Sequence, residues 1–401
     1  MATNKLKTNA KRPTSSRSVH VTKKKQGVTK KQGLFAAALL AAIGVVVVVA
    51  SQAATTPNKV YVLTNSTTGG AAQTTINRVA SDASSRTAYQ LPYTWNIDLA
   101  RDKTIFSASR GGNDFSIIKA SDGTELSSVT CPIDANCFSS RKVWLPGSKR
   151  FAYHTEPAGL GTGIQAINSD GTGYKAIVPA NSRQFNRCLS INKAGTKLLF
   201  SQTTAPDTGF SLTTINSTNL DGTGRKVLTS LEQSKAEALY GCPSWSPDGT
   251  KVAFGRLKGE NSSGIPYSAD IRLIKADGTG LTTVKTVSTN KATGDWVSLG
   301  DTMAWSPGGS SLVYKASLKN IENIYQINIS TKKTVAMTSN TSTSTGLGKF
   351  GWSSDGRIIY SYGTKGTSGT MNTIKSINAD RTSAKLIYQA SGTNKVTHLE
   401  F

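Results

Sequence analysis

One short phrase recurs along this chain of 401 residues and limits what the chain can fold into. The phrase reads aromatic, Ser, Pro or Ser, Asp or Gly, Gly, and then an apolar segment. Successive copies begin 47 to 60 residues apart, a repeat length typical of propellers and solenoids. The clear copies begin at Trp245, Trp305 and Trp352. The weaker copies begin at Trp95, Trp144 and Ile191.

A second phrase, Asp-Gly-Thr-Gly or a close variant, lies between these copies and also follows an apolar segment. Asp-Gly between alternating apolar residues is a strong hairpin signal, because Gly adopts positive φ without steric cost. Each repeat therefore predicts four antiparallel strands, which is one blade of a propeller. The Gly-rich, β-branched composition and the missing helical periodicity exclude a helical solenoid. The acidic residues of the second phrase include Asp170, Asp221 and Asp277.

The two ends of the repeat region complement each other. Residues 60–91 predict a second, third and fourth strand with no first strand before them. Residues 396–401 read as a first strand with no blade after them. Joining the two ends makes a further blade and leaves no open end in the ring. We expect an all-β propeller of seven four-stranded antiparallel blades, with six blades as the alternative.

The segment from Trp245 to Phe254 resembles the WD40-like repeat of TolB-type propellers, and the resemblance extends over roughly residues 58–401. This resemblance implies a β-propeller. Its relatives are mostly extracytoplasmic binding or scaffolding proteins, but the same repeat also forms accessory domains of peptidases and lyases. The resemblance therefore implies an architecture much more than an activity.

The N-terminal region predicts a membrane anchor. Residues 1–33 contain ten Lys or Arg and no acid, and residues 34–54 contain no charged side chain. At about 1.5 Å per residue, such a helix spans the hydrocarbon core of about 30 Å. We expect a basic, disordered cytoplasmic segment over 1–33, one transmembrane helix over 34–54, and an extracytoplasmic propeller over 55–401 in a single-pass protein of the cell membrane. The alternative is a cleaved secretory signal with a small-residue site at 51–53, which places the propeller on the same side.

The chain is strongly basic. Its net charge is +24, and the first 81 residues contribute twelve basic groups and no acid, so that +12 remains for the rest. A basic surface attracts anionic partners, here an unknown acidic protein, a lipid head group or an anionic envelope polymer. Solubility is the simpler explanation of the same charge. Nothing resembles a nucleic-acid module, and we expect no nucleic-acid partner.

The cysteines predict disulfides rather than a metal site. Cys188 lies three residues before Ile191, and Cys242 lies three before Trp245, so the two occupy equivalent positions in neighbouring blades. A disulfide between blades is one reading, and two buried free thiols are the other. Cys131 and Cys137 can close a small loop. None of the histidines has ligand spacing to a cysteine pair, and we expect no metal and no cofactor. The histidines of the chain are His20, His154 and His398.

The repeated tryptophans and aspartates have structural explanations. Large aromatic rings at one position of every blade are expected to pack between neighbouring blades. Asp248 and Asp355 lie at hairpin tips, where a carboxylate accepts hydrogen bonds from backbone N–H groups. The tryptophans of this kind are Trp95, Trp144, Trp245, Trp305 and Trp352.

Function is expected on one face of the propeller. In a four-stranded meander, the short Asp-Gly turns lie on one face, and the long connections lie on the other. The long connections are predicted at 155–163, 203–211, 255–270, 287–301 and 337–348. Variable loops on a rigid scaffold commonly form binding sites. The candidate binding residues on this face are Arg183, Arg187, Tyr240, Arg256, Tyr267 and Trp296, with Trp296 placed in a linker loop.

No catalytic motif is visible. The chain has no Gly-x-Ser-x-Gly elbow, no His-Glu-x-x-His and no phosphate-binding loop, and His154 reads as a structural or exposed histidine. We therefore expect no enzyme, but a binding or scaffold module for a protein or an envelope polymer. The alternative is a propeller enzyme, a polysaccharide lyase or hydrolase, that uses the central channel.

Overall fold

A computed structural model describes residues 58–400 except 69–70, 95, 112–113, 131–141, 157–160, 233–235, 261–265, 291–292, 299–302, 366–370 and 392–394. The predicted basic segment 1–33 and the predicted span 34–54 lie outside these residues. In the part that is described, the structure contains no helix of the length and hydropathy that a membrane span requires.

The described residues form seven antiparallel sheets, which we call blades 1 to 7 in chain order. Blade 1 contains β1 (Lys59–Thr68), β2 (Ala71–Ala80), β3 (Arg86–Pro92) and β29 (Lys395–Glu400). Blade 2 contains β4 (Asn96–Leu99), β5 (Ile105–Gly111), β6 (Asp114–Lys119) and β7 (Glu125–Thr130). Blade 3 contains β8 (Val143–Trp144), β9 (Arg150–Thr155), β10 (Gly163–Asn168) and β11 (Lys175–Val178).

The remaining blades follow the same order. Blade 4 contains β12 (Gln184–Ile191), β13 (Lys197–Thr204), β14 (Leu212–Asn219) and β15 (Lys226–Glu232). Blade 5 contains β16 (Glu237–Trp245), β17 (Lys251–Glu260), β18 (Pro266–Lys275) and β19 (Thr282–Ser288). Blade 6 contains β20 (Trp296–Ser298), β21 (Ala304–Trp305), β22 (Ser311–Leu318), β23 (Ile321–Asn328) and β24 (Thr334–Ala336). Blade 7 contains β25 (Thr345–Trp352), β26 (Arg357–Thr364), β27 (Met371–Asn378) and β28 (Lys385–Gln389).

The predicted seven-bladed all-β propeller is confirmed, including its closure from both ends of the chain. The C-terminal β29 pairs with β1, with Leu399 opposite Val62 and Glu400 opposite Tyr61. It thereby takes the place of the first strand in blade 1. In blade 6 the first strand is divided into β20 and β21, which both pair with β22.

The core lies between the blades rather than within them. Each apolar cluster combines side chains of two neighbouring blades, as when Phe115 of blade 2 meets Phe151 of blade 3 edge-on at 5.0 Å between ring centroids. Consecutive residues of the middle strands are buried, as at 115–118 in β6, and because successive side chains point to opposite faces, both faces of a blade are covered. Complete burial of such a side chain contributes about 1.5–3 kcal/mol.

Repeat tryptophans join neighbouring blades. Trp144 is 2% exposed, and its indole N–H donates to the Asp98 carbonyl of blade 2 at 2.8 Å. Trp305 donates in the same way to the Ser244 carbonyl of blade 5 at 3.3 Å. Trp245 is 8% exposed and also packs between blades. Trp352 is half-buried, and Trp95 lies outside the described residues.

The turn aspartates hold the hairpin tips. Asp248 accepts a hydrogen bond from the Thr250 amide at 3.0 Å, and Asp170, Asp221 and Asp277 each accept one from an amide two residues later at 2.9 Å. Asp355 differs, because it accepts a hydrogen bond from the Ser81 hydroxyl of blade 1. It therefore links two blades.

Candidate functional site

The connections between second and third strands, and those from one blade to the next, lie at one end of the blades. We call this end the long-loop face. The first strands of neighbouring blades contact one another around the central channel, as β12 contacts β16 and β29 contacts β4. Side chains near the beginning of a first strand therefore lie close to both the channel and the long-loop face.

The site that stands out is a cleft where blades 4 and 5 meet. It is a cavity of about 480 Å³ formed by the early part of β12 and β16, the late part of β13 and the start of β14. This position places it at the long-loop face. Its lining residues are Phe185, Arg187, Cys188, Ser201, Thr203, Thr213, Ala238, Leu239, Gly241 and Cys242.

Bulges in the two first strands form the inner wall of the cleft. The register between β12 and β13 shifts between Arg187 and Ser190, and the register between β16 and β17 shifts between Tyr240 and Ser244. Cys188 has a φ of 60° in its bulge. A bulge bends its strand and redirects side chains, which brings both cysteines to the same wall.

A disulfide joins the two blades across this wall. Cys188 and Cys242 are bonded, with 5.0 Å between their Cα atoms. Of the two readings of their equivalent positions in the repeat, the structure shows the disulfide and not the two free thiols. The other predicted pair, Cys131 and Cys137, lies outside the described residues.

The cleft carries positive charge. Arg187 is exposed and lines the cavity, and no carboxylate belongs to the cavity lining given above. Arg183 lies just before β12 and is also exposed, but it forms an ion pair with Asp207 at 2.7 Å. Of the six predicted binding residues, Arg187 is therefore the one that the structure places in the cleft.

His154 of β9 lies in blade 3, outside the cavity lining, but close enough to Arg187 for that charge to affect its pKa. Burial, with a smaller contribution from the Arg187 charge, lowers the pKa of His154 to about 4. The imidazole is consequently neutral at pH 7. Its Nε2 atom is buried and has no hydrogen-bond partner among the described residues.

The placement of Arg256 differs from the prediction. Residues 255–270 were expected to form a long loop, but β17 continues to Glu260 and β18 begins at Pro266, because cross-strand pairing extends to the end of the hairpin. Arg256 donates to Glu237 at 2.6 Å and also to Asp270, its cross-strand neighbour. Its guanidinium is thus bound within blade 5.

The acid beside Arg256 is tightly held. Asp270 is 4% exposed and also accepts a hydrogen bond from the Thr286 hydroxyl at 2.6 Å. Burial raises the pKa of Asp270, but hydrogen bonds from Thr286 and Arg256 outweigh it and leave the pKa lowered. The charges of this cluster are paired with one another, so the cluster stabilises blade 5 and does not present an unpaired charge to a ligand.

The aromatic candidates are also placed differently. Trp296 lies in β20 and not in a linker loop; it is half-buried, with the Lys315 ammonium 5.3 Å from its ring centre. Lys315 in turn donates to the Leu347 carbonyl at 2.6 Å. Tyr240 packs against the apolar cluster between blades 5 and 6. Tyr267 lies in β18, and its side chain is outside the part that the structure describes.

Sequence reasoning missed an apolar rim beside the cleft. Phe185 is 39% exposed, Phe210 is 64% exposed and Leu212 is 39% exposed. Phe185 pairs with Thr203, and Leu212 pairs with Thr204, so these side chains lie at one end of blade 4. One sequence signal could have revealed this rim, namely an aromatic residue, Phe210, in the polar connection between β13 and β14.

Metal ligands do not gather at this site. Among the described residues, no group of three His, Cys, Asp or Glu side chains is placed to hold a metal ion.

Comparisons with known proteins show the fold. No family model matches the chain, and no curated protein matches it. A solved oligogalacturonate lyase from Vibrio parahaemolyticus matches with a TM-score of 0.55 and 14% identity, over 84% of this chain and 88% of that chain. A puromycin-hydrolyzing peptidase of Mycobacterium tuberculosis matches with a TM-score of 0.50 and 15% identity, over 81% of this chain and 46% of that chain. TolB from Acinetobacter baumannii matches with a TM-score of 0.43 and 13% identity, over 84% of this chain and 81% of that chain.

The seven sheets and the match to a solved propeller define the class by fold: the chain is a seven-bladed β-propeller. The expectation that the protein is not an enzyme is wrong as it was stated. The solved structures of similar fold include a lyase and a peptidase, so this architecture is one that enzymes use. The absence of a familiar motif was not sufficient evidence against catalysis.

Proposed function

We propose that the propeller binds an acidic oligosaccharide or envelope polymer in the cleft between blades 4 and 5. The observation that carries the proposal is the cleft lining, which combines an exposed cation, an exposed aromatic ring and three hydroxyl groups and includes no carboxylate. Small-ligand sites have volumes of about 300–1,000 Å³, and this cleft falls within that range.

Each part of the lining suits an acidic sugar. The Arg187 guanidinium can bind a carboxylate with two parallel hydrogen bonds. The exposed ring of Phe185 offers an apolar surface for the C–H face of a sugar ring. The hydroxyls of Thr203 and Thr213, which bond to each other at 3.0 Å, can also exchange hydrogen bonds with sugar hydroxyls, whereas Ser201 is buried and donates to the Arg187 carbonyl. Two of the solved structures of similar fold are oligogalacturonate lyases, whose name refers to an acidic sugar.

Calorimetry with trigalacturonate and with a neutral trisaccharide tests this proposal. We expect trigalacturonate to bind more tightly, and Arg187→Gln to weaken its binding about tenfold or more, because a hydrogen bond to a charged group contributes about 1.5–3 kcal/mol. The matched control is Lys251→Gln, which removes an exposed charge next to the short turn at the other end of blade 5. Equal losses in both variants, or equal affinity for both sugars, would contradict the proposal.

A second candidate function is an enzyme, a polysaccharide lyase or hydrolase. The specific observation is His154, whose neutral imidazole has a buried Nε2 atom without a partner among the described residues and whose pKa responds to Arg187. A cation that neutralises a substrate carboxylate makes the adjacent C–H more acidic, and a neutral imidazole can accept that proton. This pair suits β-elimination from a uronate.

Ultraviolet absorbance of the unsaturated product tests the enzyme candidate. We expect slow turnover of polygalacturonate by the wild type and none by His154→Gln, while trigalacturonate binding is retained. If the wild type binds but shows no turnover under any condition, the lyase candidate is excluded and the binding function stands.

We also propose that the propeller lies outside the cytoplasm on an anchor formed by residues 34–54. The uncharged 34–54 segment and the ten preceding basic residues support this proposal. Alkaline extraction of cell membranes tests it: the full chain should stay with the membrane, and a chain that begins at residue 55 should not. Release of the full chain by alkali would contradict the anchor.

A further inference from the structure

We infer that the Cys188–Cys242 disulfide is a thiol-exchange site that small anionic thiols reach through the cleft. Both cysteines belong to the cavity lining, and both are half-buried rather than enclosed in the core. A disulfide is attacked by a thiolate on one of its sulfurs, and access to that sulfur controls the rate. A cavity of about 480 Å³ admits a small thiol without unfolding of either blade.

Arg187 gives this site its selectivity. It directly precedes Cys188, is exposed, and shares the cavity lining with both cysteines. Its positive charge raises the local concentration of an anionic thiol and stabilises the cysteine thiolate that leaves. Because the lining includes no carboxylate, nothing in the lining cancels this charge.

The backbone around the bond is placed to adjust when the bond opens. Cys188 has a φ of 60°, a region that residues with a Cβ adopt infrequently, and Gly241 beside Cys242 has a φ of 79°. Both residues lie in bulges that interrupt the strand pairing. Opening the bond therefore releases two irregular segments and leaves the regular ladders intact.

The fold does not depend on this bond alone. Blades 4 and 5 also share a buried cluster in which Leu199, Val252 and Phe254 are each 0% exposed. Exchange should thus change the cleft without separating the blades.

The exchange proceeds in two steps. A thiolate attacks Sγ of Cys188 or Cys242, a new S–S bond forms as the Sγ–Sγ bond breaks, and the other cysteine leaves as a thiolate that takes a proton from water. A second thiolate attacks the mixed disulfide, and a small-molecule disulfide departs with the release of the second cysteine. Two electrons pass from the two small thiols to the protein disulfide.

Reduction rates in the folded protein test the inference. The probes are mercaptoacetate, 2-mercaptoethanol and cysteamine, which are anionic, neutral and cationic, each compared at equal thiolate concentration. Alkylation and peptide mass mapping at timed points report Cys188 and Cys242 separately from Cys131 and Cys137. We expect mercaptoacetate to react about tenfold faster than cysteamine, with a difference of about twofold or less in Arg187→Gln.

Two controls make the result decisive. Lys251→Gln removes the same charge at the opposite end of blade 5 and should keep the wild-type preference. Circular dichroism should stay unchanged during reduction. The inference is overturned if reduction occurs only at the rate of global unfolding, or if the preference for an anionic thiol is absent or survives Arg187→Gln. None of these outcomes depends on whether the cleft binds a sugar.

Discussion

The C-terminal strand should contribute to stability far beyond its length, and Leu399→Ala measures this contribution. Leu399 is 1% exposed and lies in the cluster that joins blades 7 and 1, together with Val60, Ile359 and Ile374. Truncation of a buried leucine removes transfer free energy and leaves a cavity, at a cost of about 2–5 kcal/mol. Because the cluster combines two blades and the fully buried Val60, we expect about 3 kcal/mol.

The assay is thermal and urea-induced unfolding of the purified propeller. For a domain of this size, about 3 kcal/mol lowers Tm by roughly 4 °C. Lys395→Ala in the same strand is the matched control, because its side chain is exposed and should change stability by less than about 0.5 kcal/mol. If Leu399→Ala unfolds like the wild type and like Lys395→Ala, then β29 does not close the ring as described.

Three further predictions follow from hydrogen bonds and charges. Arg256→Met should destabilise the protein by about 3 kcal/mol or more, since it leaves Asp270 buried without its cation, and adding Asp270→Asn should recover part of the loss in urea unfolding. Hydrogen bonds, first from the Ser246 hydroxyl, lower the pKa of Asp248 from 3.8 to about 2. Its contribution to stability is therefore complete above pH 3.8 and is lost as the pH falls towards 2, which NMR titration and acid unfolding of Asp248→Asn can check. Trp144→Phe should cost about 2 kcal/mol, because a buried carbonyl of blade 2 loses its donor, and calorimetry measures the lower Tm.

The architecture was predictable because each blade repeats the same local chemistry. Asp-Gly turns and alternating apolar residues specify four strands wherever they recur, and the complementary ends at residues 60–91 and 396–401 predicted ring closure. The turn signals are local, and the ring closure follows because the strand that is missing at one end of the repeat region is present at the other end. Both kinds of information are present in one sequence.

The site was less predictable because it depends on which side chains meet across blades. Arg256 looked like a free cation on a loop, but its cross-strand neighbour Asp270 becomes visible only when the register of β17 and β18 is known. The cleft depends on bulges next to Arg187 and Tyr240, and no periodic pattern in the sequence predicts these bulges. The exposure of Phe185 likewise depends on its position beside the cleft between two blades, which its sequence neighbours do not indicate.

The pairing of β29 with β1 has a consequence for biosynthesis. The hydroxyl of Thr397 reaches the Leu63 carbonyl at 3.4 Å across 334 positions of sequence. A chain that leaves the ribosome from its N-terminus must therefore hold β1 with an unsatisfied edge until nearly all other blades have been translated. During that interval the open edge of β1 can pair with strands of other chains. We therefore expect the nascent chain to depend on chaperones most strongly just before β29 is translated.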